Sequence, residues 1–258
     1  RERLDSGATV RDSKQSLANW LAHWRATTLA ASDRKQSTKE LYANLCRRHL
    51  EPEPFGAIRL DKLRPTDIES LVLAMRAKTK PGKRTDTNLN PEPVRALSDA
   101  TIRQVYTVLR AGLDGAVRDG VLAKNPAAVV KRPGVARQEA RYVSAVEMTK
   151  ILQCSEGLRY HNAAVLVAST GLRRGEALAL HWSDVDLENG ELAVRGTLGR
   201  VGGKLVITEP KTDRARRRVP LAAPLVAMLR AHRANQANER IEAGNQWRDH
   251  GLVFTTEF

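Results

Sequence analysis

Residues 169–186 hold the side chains best suited to chemistry in this 258-residue chain. An apolar segment stops at Thr170-Gly171, and two arginines, Arg173 and Arg174, follow directly. A second helix is predicted to begin there, with Glu176 in its first turn. A helix N-terminus favours an anion, because it offers unpaired backbone N–H groups and the positive end of a dipole. A guanidinium beside it can hold two oxygens of one phosphate, so the pattern indicates a phosphate site. An isolated pair of arginines, by contrast, is more often a set of surface charges at a helix junction.

The residues around this pair complete a longer motif. Residues 170–185 follow the order Thr-Gly-x-Arg-x-Gly-Glu-x-x-x-Leu-x-Trp-x-Asp-Val, which resembles the first active-site box of the tyrosine recombinase, or phage integrase, family. The resemblance implies that Arg173 is a catalytic residue. Glu176 lies three residues further along, so we expect it to face the same side of the helix and to orient the guanidinium of Arg173.

Three short strands are predicted after this box. A turn is predicted at Asn189-Gly190, because both residues tolerate positive φ angles. The alternating segment at 191–195 that follows it is predicted to be the first strand. The second strand, 204–208, leads into the turn Pro210-Lys211-Thr212-Asp213, and the third covers 216–221. A small sheet follows the arginine box in the family, and the family's hairpin lysine corresponds to Lys211. Without the resemblance, Lys211 would be one more basic residue in a basic turn.

The family's reaction explains why these residue types are needed. Breaking a phosphodiester by in-line attack builds negative charge on the non-bridging oxygens and requires a proton for the leaving 5′ oxygen. Arg173 would stabilise that charge as a fixed electrostatic group, and Lys211 could donate the proton as a general acid. In the family the nucleophile is a tyrosine, which forms a 3′-phosphotyrosine that conserves the bond energy. The resemblance therefore implies that the reaction needs no cofactor, neither a metal nor a nucleotide.

Two parts of the family's active site have no counterpart in the sequence. The second box, His-x-x-Arg, and the nucleophilic tyrosine both follow the sheet in the family. None of the six histidines has an arginine three residues later, and the four tyrosines (Tyr42, Tyr106, Tyr142 and Tyr160) all precede Arg173. The chain starts without methionine and stops at Phe258, just after a segment at 251–256 that resembles the strand leading toward the second box. We therefore expect a fragment of a longer enzyme that binds DNA but cannot cleave it.

The composition agrees with a nucleic-acid partner. The net charge is +14 and the pI is near 10.3, which favours a polyanion such as double-stranded DNA. Cys46 and Cys154 lie far apart in the sequence and form neither a disulfide framework nor a metal cluster. Because the sequence contains neither a signal peptide nor a long apolar run, we expect a soluble protein in the cytoplasm of a bacterial host, without membrane contact or a small-molecule substrate.

The first half of the chain has the periodicity of helices. One apolar face is formed by Leu17, Trp20, Leu21 and Trp24. Capping boxes predict helices that begin at Ser37, at Thr66 and, in the second half, at Ser144. Ser98 is predicted to cap a long helix that ends near Gly120. The segment 78–93, rich in Lys, Pro, Thr and Asn, is expected to form a loop, and the glycine-rich segment 199–204 is expected to form a hairpin turn rather than a phosphate-binding loop.

Basic residues outside the box are candidate DNA contacts. Arg103 and Arg110 lie on the face of the long helix opposite its apolar face, where a merely solvated role is equally compatible with the sequence. Lys131 and Arg132 begin a segment at 131–137 in which Pro and Gly interrupt the periodicity, as in a linker that follows a phosphate backbone. We also assign DNA contacts to Arg214 and Arg216, close to Lys211.

The resemblance covers nearly the whole chain and predicts its architecture. The fold class is mainly α with a small antiparallel β-sheet: a SAM-like helical core-binding domain at 13–133 is followed by a truncated, mixed α/β catalytic domain at 134–258. Residues 1–12 would be a linker or the tail of a missing N-terminal module. The parent protein would be a phage or mobile-element integrase that acts on its DNA site as a homotetramer.

Two alternatives remain open at this point. A non-catalytic DNA-binding protein could keep the recombinase scaffold without its chemistry, and the coding sequence beyond Phe258 would discriminate between the two. A type IB topoisomerase shares the active-site logic, but its relaxing activity would not explain the capped core-binding helices.

Overall fold

The computed structural model describes residues 14–83, 90–136, 139, 142–209 and 216–255. The chain divides into two compact units, Arg1–Glu139 and Ala140–Phe258. Helices dominate both units, and each unit also contains short antiparallel strands. The predicted fold class, mainly α with small antiparallel β-structure, is therefore confirmed. The predicted linker at 1–12 lies outside the described residues.

The described part of the first unit contains four α-helices and a short ribbon. The helices are α1 (Leu17–Trp24), α2 (Gln36–Leu45), α3 (Pro65–Ala77) and α4 (Asp99–Arg118). Helices α1 and α2 each continue into a π-helical turn, Arg25–Leu29 and Cys46–Leu50 respectively. The ribbon pairs β1 (Thr79–Lys80) with β2 (Val94–Arg95) in antiparallel orientation, so the segment at 78–93 is not the continuous loop that its composition predicts.

Helix α1 places its apolar face in the core of this unit, as its spacing predicts. The Ser16 hydroxyl accepts a hydrogen bond from the Asn19 backbone N–H and so caps the helix. The buried residues are Leu17, Trp20, Leu21 and Trp24. The indole N–H of Trp20 donates to the carbonyl of Gly112 at 2.8 Å, so the polar end of this aromatic side chain is satisfied inside the core.

Helix α4 begins where the sequence predicts and packs closely on α1. The Ser98 hydroxyl accepts from the Thr101 backbone N–H, which confirms the predicted cap. Two glycines of α4 face α1: a Cβ at Gly112 would lie 2.7 Å from Leu21 Cδ2, and one at Gly115 would lie 2.9 Å from Trp24 Cδ1. Glycine at these positions therefore allows the helices to approach more closely than any larger residue would.

Two predicted helix starts are displaced from those in the structure. Helix α2 begins one residue before the predicted cap Ser37, because the carbonyl of Lys35 already accepts the first hydrogen bonds of the helix. Helix α3 begins at Pro65, whose fixed φ angle suits the first helical position. Its N-cap is therefore Arg64 rather than Thr66, and the Arg64 backbone N–H donates to Asp67 at 2.8 Å.

The segment after α4 folds back onto that helix. The Tyr106 hydroxyl lies 2.7 Å from the carbonyl oxygen of Ala127 and 2.9 Å from that of Val130. The Arg103 guanidinium donates from Nε to the carbonyl of Pro133 at 2.8 Å. The start of the linker predicted at 131–137 is therefore attached to the first unit.

The described part of the second unit contains four α-helices and five short strands. The helices are α5 (Ala145–Cys154), α6 (His161–Thr170), α7 (Arg174–Leu178) and α8 (Ala223–Ala243). The strands are β3 (Val185–Asp186), β4 (Glu191–Val194), β5 (Thr197–Val201), β6 (Lys204–Thr208) and β7 (Arg217–Pro220). Ser144 and Glu147 form the predicted capping box of α5.

The strands form two separate small sheets rather than the single sheet expected from the sequence. Strand β4 lies between β3 and β7, whereas β6 pairs with β5 in a hairpin of its own. The hairpin turn at Gly202-Gly203, with φ angles of 57° and 78°, confirms the predicted glycine-rich turn. The single-sheet prediction is wrong because it omits β5, whose pairing removes β6 from the neighbourhood of β4.

The predicted strand at 251–256 is also wrong for the residues that the structure describes. Leu252 forms one isolated antiparallel bridge with His181. Val253 and Phe254 are buried in the core of the second unit, where His232 Nε2 donates to the Val253 carbonyl oxygen at 2.8 Å. Buried side chains and single hydrogen bonds hold this segment in place. It therefore packs in the core without pairing along its length with another strand.

We predict that Gly112→Ala destabilises the first unit although alanine is the better helix former. The propensity gain is about 1 kcal/mol, but the new methyl group would press on the Leu21 side chain, and overpacking of a core costs about 1–3 kcal/mol. Urea unfolding should therefore show a lower transition midpoint for Gly112→Ala. The control is Gln104→Ala at an exposed position of the same helix, which should leave the midpoint almost unchanged. A midpoint that rises in Gly112→Ala would show that the α1–α4 contact has room for the methyl group.

Candidate active site around Arg173

Arg173 is presented by the sharp turn between α6 and α7. Helix α6 ends at Gly171, which adopts the left-handed conformation with a φ angle of 66° and donates its N–H to the Val167 carbonyl at 3.0 Å. The next side chain, Leu172, is buried and anchors the turn. Arg173 then occupies the N-cap position of α7 in extended conformation, and its side chain is 75% exposed. The turn therefore projects a guanidinium into solvent from a fixed backbone.

The N-terminus of α7 already binds an anionic group of the protein itself. The Arg173 backbone N–H donates to Glu176 Oε2 at 3.0 Å, and the Glu176 side chain is only 6% exposed. The expectation that the helix end is open to a phosphate is therefore wrong for this N–H group, because the Glu176 carboxylate occupies it. The exposed Arg173 side chain remains available to an external anion.

The carboxylate of Glu176 connects two arginines. Glu176 Oε1 accepts from Arg173 Nη1 at 2.7 Å, so the contact expected between these two residues is present. Arg217, on β7, donates from Nη2 to Glu176 Oε2 at 2.8 Å and from Nη1 to Oε1 at 3.4 Å. One negative charge therefore faces two positive charges, and the three-residue cluster keeps a net charge of about +1.

The pKa of Glu176 reflects this environment. Burial of the carboxyl group by itself raises its pKa. Hydrogen bonds from the Arg217 side chain, from the Arg173 backbone N–H and from the Arg173 side chain outweigh the burial and lower the pKa from 4.5 to about 2. Glu176 is therefore ionised at every pH at which the protein would work.

The glycine of the box allows the β5–β6 hairpin to approach α7. A Cβ on Gly175 would lie 2.5 Å from Thr197 Oγ1 and 2.8 Å from the Leu198 carbonyl oxygen. No larger side chain fits there without a shift of the β5 backbone. The spacing Arg-x-Gly-Glu thus combines a projecting cation, a close backbone contact and a buried carboxylate within four residues.

The other basic residues predicted near Arg173 all belong to the second unit. Lys211 and Arg214 lie outside the described residues, so their roles stay predictions. Arg216 forms an ion pair with Glu209 at 2.9 Å, with both side chains well exposed. Arg174 is exposed, next to Arg173, and the structure gives it no role in the Glu176 cluster.

The candidate DNA contacts of the first unit differ in accessibility. Arg110 is exposed on α4, and Lys131 and Arg132 are exposed in the segment that follows. Arg103 is half-buried, and its Nε is occupied by the Pro133 carbonyl. The first three side chains can reach a phosphate without breaking a hydrogen bond of the fold, whereas Arg103 would offer only its remaining N–H groups.

Arg217 is the residue of the site that sequence reasoning missed. It lies in a run of three arginines, Arg216 to Arg218, and all three carry the same charge at the start of the predicted strand. Alternation along a strand places the middle arginine on the face opposite to its two neighbours. That signal separates Arg217 from the others, but it does not identify Glu176, which is 41 residues away, as its partner.

A depression of about 830 Å³ between β4 and α8 is lined by charges of both signs. The arginines are Arg195, Arg218, Arg230 and Arg233, and the carboxylates are Asp184, Asp186, Glu188 and Glu191. Three of these arginines form ion pairs with carboxylates from the same lining. The positive and negative charges of this lining therefore largely cancel, whereas the cluster around Arg173 keeps an excess positive charge.

Within the described part of the chain, no group of three or more His, Cys, Asp or Glu side chains could hold a metal ion. In the same residues, no helix is both long enough and apolar enough to cross a membrane.

Comparison with known proteins identifies relatives of both units. Residues 141–255 match the phage integrase family model. A tyrosine recombinase XerC-like protein from Caldanaerobacter subterraneus subsp. tengcongensis is 35% identical over 178 residues, which are 62% of this chain and 46% of that protein. An integrase from Streptomyces ambofaciens is 26% identical over 98% of this chain and 61% of its own length. The chain thus spans about half to two thirds of the curated relatives that it matches.

Solved structures show the same fold. The Tn1549 transposon integrase in complex with transposon right end DNA superposes with a TM-score of 0.68 at 21% identity, over 86% of this chain and 66% of that one. A lambda integrase tetramer bound to a Holliday junction superposes with a TM-score of 0.62 at 18% identity, over 99% of this chain and 64% of that one. The arginine box, the family match and these folds agree, and the second unit of this chain belongs to the tyrosine recombinase, or phage integrase, family.

Proposed function

We propose that these residues are the core-binding and catalytic parts of a site-specific DNA recombinase, an integrase of a phage or another mobile element. The observation that carries the proposal is the Arg173 guanidinium, which is 75% exposed yet bonded to a carboxylate that is 6% exposed. A cation held in this way is oriented before any substrate arrives. Double-stranded DNA is the proposed substrate, in keeping with the net charge of +14.

In this proposal Arg173 acts on the scissile phosphate. In-line attack moves negative charge onto the non-bridging oxygens, and a fixed guanidinium stabilises that charge more strongly in the transition state than in the ground state. Other cations share the ground-state hold on DNA, so Arg173 would contribute to the rate more than to affinity. Lys211 would protonate the leaving 5′ oxygen as the general acid.

The nucleophile in this scheme is a tyrosine that forms a 3′-phosphotyrosine link. All four tyrosines of the sequence precede Arg173, and none of them corresponds to the family's nucleophile, which follows the sheet. We propose that the tyrosine and the second histidine–arginine box belong to a longer protein that contains these residues. The 258-residue chain alone would then bind DNA without becoming attached to it.

The proposed DNA contacts outside the box are Arg110, Lys131 and Arg132, with Arg214 and Arg216 near the site and Arg103 in a reduced role. Their exposure, where the structure describes them, supports direct contact with phosphates. We further propose that the protein assembles as a homotetramer on paired DNA sites, by analogy with the lambda integrase tetramer on a Holliday junction.

Substitution of Arg173 tests its proposed catalytic role. In a longer recombinase that contains this chain, Arg173→Ala should slow cleavage of a nicked suicide substrate by about 10²- to 10³-fold, while the Kd for DNA changes little. Arg174→Ala is the matched control, since it removes a neighbouring exposed arginine outside the Glu176 cluster, and it should retain most of the rate. The 258-residue chain itself should trap no covalent adduct. A dead Arg174→Ala with an active Arg173→Ala would place the catalytic arginine one residue later.

Substitution of Arg110 tests its proposed contact with a DNA phosphate. Each phosphate that a cation neutralises contributes about 0.9 to the slope of log affinity against log salt concentration. Arg110→Ala should therefore weaken binding of the 258-residue chain and reduce the slope by about 1. Arg110→Lys, which keeps the charge, should retain the slope. An unchanged slope in Arg110→Ala would mean that this face of α4 is only solvated.

The lowered pKa of Glu176 predicts how stability depends on pH. Its folded-state pKa of about 2 lies below the ordinary value of 4.5. The stabilisation that its charge supplies is therefore complete above about pH 4.5 and is lost as the pH falls toward 2. Glu176→Gln should lower the stability of the second unit at pH 7, and the difference from wild type should shrink between pH 4.5 and pH 3.

Amide hydrogen exchange of the second unit measures this difference. Glu188→Gln is the control, because Glu188 is well exposed in its pair with Arg230 and exposed pairs contribute little. A Glu176→Gln penalty that is the same at pH 7 and pH 3 would contradict the assigned ionisation.

A further inference from the structure

The two oxygens of the Glu176 carboxylate are shared between two arginines of different origin. Oε1 accepts from Arg173 Nη1 at 2.7 Å and from Arg217 Nη1 at 3.4 Å. Oε2 accepts from the Arg173 backbone N–H at 3.0 Å and from Arg217 Nη2 at 2.8 Å. Neither oxygen belongs to Arg173 alone, so the orientation of Arg173 depends on a residue of β7.

Arg217 is distinguished from its neighbours by burial and by partner. Its side chain is 32% exposed, whereas that of Arg218 is 74% exposed and pairs with Glu191 on β4. Arg216 pairs with Glu209. Arg217 lies opposite Val194 in the β4–β7 ladder, which fixes its backbone in the sheet. It is therefore the arginine of this run that the fold directs at the site.

The charge balance explains what the second arginine adds. A carboxylate that is 6% exposed needs a charged partner. If Arg173 were that sole partner, both ends of its guanidinium could turn onto the carboxylate, and the pair would be neutral. Arg217 supplies a two-point contact of its own, so that Arg173 donates through Nη1 and keeps its other N–H groups for an external anion.

We propose that Arg217 is a positioning residue for Arg173: it holds the Glu176 carboxylate, and this leaves Arg173 outward-facing and positively charged. This inference rests on the proposed function, in which Arg173 stabilises the scissile phosphate. Arg217 acts through Glu176 and does not itself touch the DNA. The lowered pKa of Glu176 agrees with this role, since the Arg217 side chain provides the largest of the contributions that lower it.

The test compares Arg217→Ala with Arg218→Ala in a longer recombinase that contains this chain. Single-turnover cleavage and the Kd for the same DNA site are measured separately. Arg217→Ala should slow cleavage by about 10²-fold, the scale of a misplaced catalytic group, with the Kd within about twofold of wild type. Added methylguanidinium should restore part of the rate, because it can occupy the space that the side chain leaves. Arg218→Ala should cleave at the wild-type rate.

A second variant covers the case in which Arg217→Ala does not fold. Arg217→Lys keeps the charge but replaces the planar two-point contact by a single ammonium. It should melt within a few degrees of wild type and yet cleave about tenfold more slowly, as expected when one of two bonds that orient a catalytic group is lost. Wild-type cleavage by Arg217→Lys, or a loss confined to the Kd, overturns the proposal.

The outcome for Arg173 separates this inference from the function on which it rests. If Arg173→Ala is inactive while both Arg217 variants cleave normally, only the positioning role is rejected. If Arg173→Ala cleaves normally, the catalytic role proposed for Arg173 is wrong, and the positioning role of Arg217 falls with it.

Discussion

The site around Arg173 depends on one negative charge removed from water. A carboxylate as buried as that of Glu176 is stable only when charged and polar donors replace its hydration. Four hydrogen bonds do so here, from the backbone and side chain of Arg173 and from both Nη atoms of Arg217. Because these donors come from the α6–α7 turn and from β7, the carboxylate is satisfied only when both elements are in place. The same interaction therefore orients Arg173 and joins the sheet to the helices of the second unit.

The sequence predicts those features that depend on residues a few positions apart. Ser98 and Ser144 cap their helices through N–H groups three residues away, and Gly171 ends α6 because it tolerates a positive φ angle. The contact between Arg173 and Glu176 has the same local origin. Such signals survive folding because the competing conformations of a short segment are few.

What the sequence could not supply are pairings over long separations. The single-sheet prediction failed because β4 pairs with β7, and the β5–β6 hairpin lies between them in the chain. The link from Arg217 to Glu176 spans 41 residues and is formed only once β7 has joined β4. The expected contacts of Arg103 illustrate the same limit, since its half-buried guanidinium is bonded to the Pro133 carbonyl 30 residues away. A basic residue in a sequence therefore shows charge, but only the fold shows whether that charge is available.

Availability of charge also distinguishes the Arg173 cluster from the other ion pairs of the second unit. Arg195, Arg218 and Arg230 each face a carboxylate in the depression beside α8, so their charges are largely cancelled there. Around Glu176 the ratio is two arginines to one carboxylate, and the excess charge lies on the more exposed of the two guanidinium groups. A catalytic cation needs both properties, since a rigid but neutralised arginine would not stabilise a phosphate and a charged but mobile one would have to be ordered during the reaction. One buried carboxylate shared by two arginines provides both, because the less exposed arginine neutralises the carboxylate and the more exposed one uses it as an anchor.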